Sequence, residues 1–189
     1  MFQYWGPQAS HSILNVSGTV DLPWKFQFSF ISSYTSRGPF QPIIPGVDLS
    51  GSGGSNSFPL PGMGGSLFNF GLGAGDLVNL INQYNQTYAG KAGPNPSQTF
   101  PHVAVPTGPY QFGHDFNSQD IRLTKLFKYR ERYELQIFGE CFNVFNFSNP
   151  TGYDSNLLDT GFGLPSGRAG GTFGTGGPRA FQVGSRFSF

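Results

Sequence analysis

The chain has 189 residues, of which 28 are Gly and 15 Pro; 16% of side chains are aromatic, only 11% are charged, and the net charge is +1. Aromatic richness excludes an ordinary disordered tail, and charge poverty excludes a coiled coil or a typical soluble helical domain. Near-neutrality excludes bulk attraction to nucleic acid, and a single cysteine, Cys141, excludes an internal disulfide or a cysteine-based zinc site.

No run of about 18 apolar residues occurs, so no transmembrane helix is expected. The opening MFQYWGPQAS lacks the basic start and apolar run of a signal peptide.

Residues 12–22 alternate, with Leu14, Val16, Val20 and Leu22 set against Asn15, Ser17, Thr19 and Asp21. Asp21, Leu22 and Pro23 then read as a tight turn. Residues 24–35, WKFQFSFISSYT, carry the clearest period of two. Trp24, Phe26, Phe28, Phe30 and Tyr34 share one face; Lys25, Gln27, Ser29, Ser33 and Thr35 share the other, with Ile31 the exception. Alternation over this length predicts a strand longer than the usual ~5–6 residues. It matches the ~9–11 residues of a transmembrane strand, apolar outside and polar inside.

A long connection, residues 36–116, follows. It opens Gly-, Ser- and Pro-rich, and residues 76–88 then predict a short helix. Leu77, Leu80, Ile81, Tyr84 and Tyr88 share one face, Asp76 reads as N-cap, and Gly90 as the stop. This helix reads as packing for the loop, with ligand docking as the alternative.

Residues 117–128 place Ile121, Leu123 and Phe127 against Asp120, Arg122, Thr124 and Lys128. A tight turn at Tyr129 and Arg130 leads to residues 131–145. There Tyr133, Leu135, Ile137 and Cys141 oppose Glu134, Gln136 and Glu140, with Phe138 and Phe142 on the polar side. Residues 146–178 are Gly-rich and read as a flexible loop. Residues 179–189 place Phe181, Val183, Phe187 and Phe189 against Gln182, Arg186 and Ser188.

Short and long connections therefore alternate. In an up-and-down sheet this puts short turns at one end and long loops at the other, the asymmetry of outer-membrane barrels. A soluble sandwich seldom carries an insertion as long as residues 36–116. The expected fold is all-β: an antiparallel up-and-down meander of about five long strands, part of a transmembrane β-barrel. Two long extracellular loops accompany it, with one short helix in the first.

Residues 120–150 and 176–189 carry a family likeness. Asp120, Arg122, Lys125, Phe127, Glu131, Arg132, Glu140, Phe142, Asn143, Phe145 and Asn146 match a penultimate-hairpin pattern. Pro178, Arg179, Gln182, Gly184, Arg186, Phe187 and Phe189 match a terminal-strand pattern. On these residues the chain resembles the C-terminal part of TonB-dependent outer-membrane receptors, closest to the Oar-like subgroup with a carboxypeptidase-regulatory-like domain. The resemblance implies a 22-stranded barrel around a plug, importing nutrients with energy relayed by TonB through that plug. The chain shows no plug or TonB box, and five strands leave two open edges, so a fragment of a longer receptor is expected.

The expected lipid-facing residues are Trp24, Phe26, Phe28, Phe30, Phe181, Val183, Phe187 and Phe189. The expected lumen-facing residues are Arg122, Glu134, Glu140, Gln182 and Arg186. Arg122, Lys125, Glu134, Glu140 and Arg186 read as mostly on the polar face, in cross-strand ion pairs that line the lumen and contact the plug, with a direct substrate role as the alternative. Trp24, Phe187 and Phe189 mark one aromatic girdle, and Tyr34 and Phe147 the other. Phe187 and Phe189 also read as the signal for the barrel assembly machinery, by strand addition. The expected partners are outer-membrane lipid, the rest of the barrel, the plug and that machinery, with no nucleic acid. His11, His102, His114 and Asp115 are scattered without metal-ligand spacing, and no nucleophile or phosphate-binding motif occurs. No enzyme, metal or cofactor is expected, and Cys141 reads as an inert small hydrophobe. The alternatives are a surface-exposed structural or adhesive β protein with Gly-rich loops, and a soluble ligand-binding β domain.

Overall fold

The computed structural model describes residues 10–49, 51, 58–94, 97–130, 132–171 and 174–189. In chain order the elements are β1 (Ile13–Leu22), β2 (Phe26–Thr35), β3 (Ile43–Ile44), β4 (Phe58–Pro59), β5 (Leu67–Phe68), β6 (Gly71–Leu72) and α1 (Ala74–Thr87). Then come β7 (Phe116–Tyr129), β8 (Tyr133–Phe142), β9 (Pro150–Tyr153), β10 (Pro165–Arg168) and β11 (Ala180–Ser188). The chain divides into two compact units. One contains Arg37–Gly113 and Gly152–Ser166; the other contains His11–Ser36, His114–Thr151 and Gly167–Phe189.

The second unit is built on one five-stranded sheet in the order β1-β2-β7-β8-β11, antiparallel at every step. These are the five alternating segments of the sequence, and they lie in sequence order as an up-and-down meander. The sheet is open, with β1 and β11 as its edges. Both long connections leave it at one end and both short ones at the other.

The strand limits differ most from the sequence reading at β2, expected over 24–35, and at β8, expected over 131–145. β2 starts at Phe26, because Trp24 and Lys25 take positive φ of 59° and 61° in the turn, where Phe26 N–H donates to the Pro23 carbonyl. Left-handed backbone at both central positions is the twist that suits a tight hairpin. Trp24 is thus a turn residue and lies outside the alternation of β2. β8 ends at Phe142, because Asn143 takes φ 47° and turns the chain. Glu131, in the β7–β8 connection, lies outside the described residues.

The first unit holds the apolar core. Phe40, Ile44, Val47, Leu60, Met63, Phe68, Phe100, Val103 and Phe112 are buried around α1, joined by Leu157 and Phe162. From α1, Leu77, Leu80, Ile81 and Tyr84 point inward, and Tyr88 packs against the cluster. The helical period therefore places its apolar face as expected. Each fully buried aliphatic or Phe side chain contributes roughly 1.5–3 kcal/mol. The Phe68–Phe112 and Phe40–Phe112 ring pairs, with centroids 4.5 and 5.4 Å apart, add tilted ring–ring contacts.

Asp76 is not the N-cap. Gly73 is, and Asp76 sits one turn in, where its carboxylate accepts the Gly73 N–H at 2.8 Å. That contact still satisfies one orphan donor and places negative charge at the helix start. Gly90 follows the helix with φ 78°, consistent with its reading as a stop. The flexible loop expected at 146–178 is instead folded where it is described. Asp154, Asn156 and Asp159 accept the N–H groups of Asn156, Leu158 and Gly161, each at 2.8–2.9 Å. These side-chain turns hold Leu157 and Phe162 in the core.

Candidate membrane-facing surface

Pleating sends alternate side chains to opposite faces, so the register decides whether five alternating strands present one surface. It does. One cross-strand row runs Val20, Phe28, Leu123, Gly139, Val183. The next runs Gly18, Phe30, Ile121, Cys141, Phe181. Towards the short turns come Leu22, Phe26, Lys125, Ile137, Ser185, and then Phe127, Leu135, Phe187. The face is predominantly apolar on all five strands, with Lys125 and Ser185 the polar members of these rows.

It is also uncovered. Val20, Leu22, Ile121, Leu123, Phe127, Ile137, Phe181, Val183 and Phe187 are all exposed, Val183 at 80% and Phe181 at 72%. No apolar side chain of the five strands is buried; their buried side chains are Ser118, Asp120 and Thr124, all on the opposite face. In this sheet burial is inverted, polar in and apolar out. Monomeric soluble proteins rarely leave so wide an apolar patch open. Trp24, at 82% exposure, and Phe189, at 85%, extend the patch at the short-turn end.

The opposite face gathers the polar residues. Arg122 pairs with Glu140 at 3.4 Å and lies over the Phe138 ring, 3.9 Å from its centroid. Phe138 in turn covers Gly184 on β11, so Arg122, Phe138 and Gly184 stack across three strands. A side chain at Gly184 would occupy the ring's place. Gln182 lies opposite Glu140 and Arg186 opposite Gln136. Glu134 pairs with Lys128 at 3.4 Å. Arg122, Glu134, Glu140, Gln182 and Arg186 therefore share one face, and Phe26, Phe28, Phe30, Phe181, Val183 and Phe187 share the other.

Lys125, expected among the ion-pairing residues of the polar face, lies instead on the apolar face, in the row of Phe26 and Ile137. Its ammonium sits over Phe26 at 4.2 Å and Phe127 at 5.6 Å and donates to the Trp24 carbonyl. The sequence reading also missed a buried polar cluster at the long-loop end. The Asp120 carboxylate accepts from Ser118 Oγ at 3.0 Å, Asn143 N–H at 2.8 Å and Thr175 Oγ1 at 2.7 Å. Asn143 Nδ2 donates to the carbonyls of Phe147 and Gly177, and its Oδ1 accepts Phe147 N–H at 3.0 Å. Asn149 bonds both backbone groups of Asn117 at 2.8 Å and the Gly176 carbonyl at 3.0 Å. These side chains replace the ladder bonds lost where β8 stops. The signal available was the spacing of Asn143, Asn146 and Asn149 in a Phe-rich segment.

In the first unit, burial pushes the Tyr84 phenol up to about 12, and its hydroxyl has no partner among the described residues. Burial also raises Tyr153, with the Arg37 charge opposing that shift. The unit has an open cleft of about 370 Å³ lined in part by His102, Thr107, Tyr110, Asp159 and Phe162. Among the described residues no group of three His, Cys, Asp or Glu side chains is placed to hold a metal. Among the described residues no helix is long and apolar enough to cross a membrane, which says nothing of strands. The chain matches no protein-family model, no curated protein and no solved structure.

Proposed function

We propose that the chain is a wall segment of a TonB-dependent outer-membrane receptor, taking part in energy-coupled nutrient uptake. The observation that carries this reading is the registered, uncovered apolar face of the five-stranded sheet. A lipid-exposed barrel wall requires that face, whereas an adhesive or soluble β domain would bury it against a second layer. The open edges at β1 and β11 fit a segment that pairs with further strands, because unpaired backbone is not tolerated in hydrocarbon. In this reading Phe26, Phe28, Phe30, Phe181, Val183 and Phe187 meet lipid, with Trp24 and Phe189 at the headgroups. Arg122, Glu134, Glu140, Gln182 and Arg186 face the lumen and the plug. The last strand, ending in Phe187 and Phe189, is offered to the assembly machinery.

The test is the behaviour of the purified chain in water, in detergent and with phospholipid vesicles. The expected result is aggregation in water, dispersion in detergent, and vesicle association that protects the strands from protease. A monodisperse monomer in water that ignores vesicles overturns the reading.

A further inference from the structure

We propose that the short-turn end of the apolar face is a binding surface for the phosphate of anionic phospholipids, formed by Lys125, Arg130 and Arg132. The proposal rests on the membrane reading and adds a headgroup chemistry and a set of residues to it.

On that face the last rows before the β7–β8 turn are Phe127, Leu135 and Phe187, then Tyr129 and Tyr133. Tyr133, Phe187 and Phe189 form a stacked ladder with centroids 6.2 and 6.0 Å apart. Cations lie on this aromatic band. Arg130 sits 5.2 Å from the Tyr129 ring, Arg132 sits 5.7 Å from the Tyr133 ring, and Lys125 lies between Phe26 and Phe127. A cation on an exposed ring is attracted weakly and stays accessible to an anion.

No strand carboxylate shares this face. Glu134 is engaged by Lys128 on the other side, and Asp21 on that side accepts from Gln27 at 2.9 Å. Glu131, between the two arginines, lies outside the described residues. Three positive groups thus border an apolar surface at the depth where aromatic residues meet headgroups. Long basic side chains reach from apolar surface to the interface, and a guanidinium can hold phosphate oxygens in pairs. An anionic phospholipid supplies both parts, acyl chains for the aromatic and aliphatic rows and, for the cations, a phosphate whose charge no choline cancels.

The full chain carrying Trp5→Phe leaves Trp24, beside Lys125, as the sole indole reporter. Its partitioning is measured with vesicles of phosphatidylcholine alone and of equal parts phosphatidylcholine and phosphatidylglycerol. Adding Lys125→Gln, Arg130→Gln and Arg132→Gln together is expected to weaken binding to the anionic vesicles by roughly 100-fold. Binding to phosphatidylcholine alone should change by less than about twofold, since the apolar area is unaltered. Lys128→Gln removes a charge from the opposite face and should leave both affinities unchanged. Equal losses on both vesicle types, or a Lys128→Gln loss as large per charge, would show a general charge or folding effect and overturn the proposal. A Trp24 emission shift with inorganic phosphate alone would assign the site to free phosphate and also overturn it. Failure of the unsubstituted chain to bind either vesicle removes the membrane reading itself, an outcome distinct from those.

Discussion

Placing an arginine at Val183 rather than at Gln182 tests the assignment of the two faces most directly. The two residues are neighbours on the edge strand β11, so backbone exposure and strand propensity are nearly matched. Val183 shares a row with Gly139 and Leu123, whereas Gln182 shares one with Glu140 and Arg122. From Leu123 to Tyr129, in the aromatic row, the strand rises about 20 Å at ~3.4 Å per residue. In the proposed barrel wall, a tilt of ~40° would turn this into about 15 Å of depth, close to the middle of an apolar band ~25 Å tall. Arginine there costs ~2–4 kcal/mol, which is roughly 30- to 1000-fold in partitioning. At Gln182 the new arginine meets Glu140, and the expected change is below about twofold. The measurement is partitioning of the full chain into phosphatidylcholine vesicles under increasing urea, followed by Trp24 emission. Equal losses for Val183→Arg and Gln182→Arg would show that the face does not meet lipid and would refute the register argument.

Asn143→Ala removes three side-chain hydrogen bonds and leaves an alanine at positive φ, so unfolding in detergent should shift by about 2–4 kcal/mol. Asn143→Gly should recover only the backbone share of that loss, and full recovery would show that the hydrogen bonds contribute little. Gly184→Val should displace the Phe138 ring and cost about 1–3 kcal/mol, and Phe138→Ala in the same chain should relieve most of it; strictly additive losses in the double-mutant cycle would sink the stacking argument. In the first unit, Tyr84→Phe removes a buried hydroxyl without a partner and should raise stability by about 1–3 kcal/mol, as read by calorimetry. The Tyr84 phenol is raised in the folded state, so the unfolded chain gives up this proton first. Its contribution to stability is therefore constant below about pH 10 and is lost as the pH rises towards about 12, and Tyr84→Phe should abolish that alkaline loss.

Alternation is a local property, and whatever follows from it was legible along the chain. The five strands, the split between Phe26, Phe28 and Phe30 and their polar neighbours, and the inward face of α1 all follow from periods of two and 3.6. Punctuation was less legible. Trp24 looked like the first apolar residue of a strand because nothing in its side chain reveals a left-handed backbone, and that conformation is imposed by closing β1 onto β2. Asp76 was displaced from the cap for a similar reason, since a carboxylate favours the helix start both as N-cap, accepting an N–H of the first turn, and at the third helical position, reaching back to the N–H of the cap residue, here Gly73. Apart from the face of α1, the core of the first unit was not legible. Phe40, Ile44, Leu60, Met63, Val103, Leu157 and Phe162 have no common period and come from distant segments, so only tertiary packing brings them together. The same holds for Asp120 with Asn143 and Thr175, whose hydrogen bonds join residues far apart in the chain. Each strand by itself had two faces. That the five apolar faces coincide was decided by register alone, because a slip of one residue on a strand would turn the residues of its apolar face, such as Phe28 and Phe30 of β2, to the side of Arg122 and Glu140.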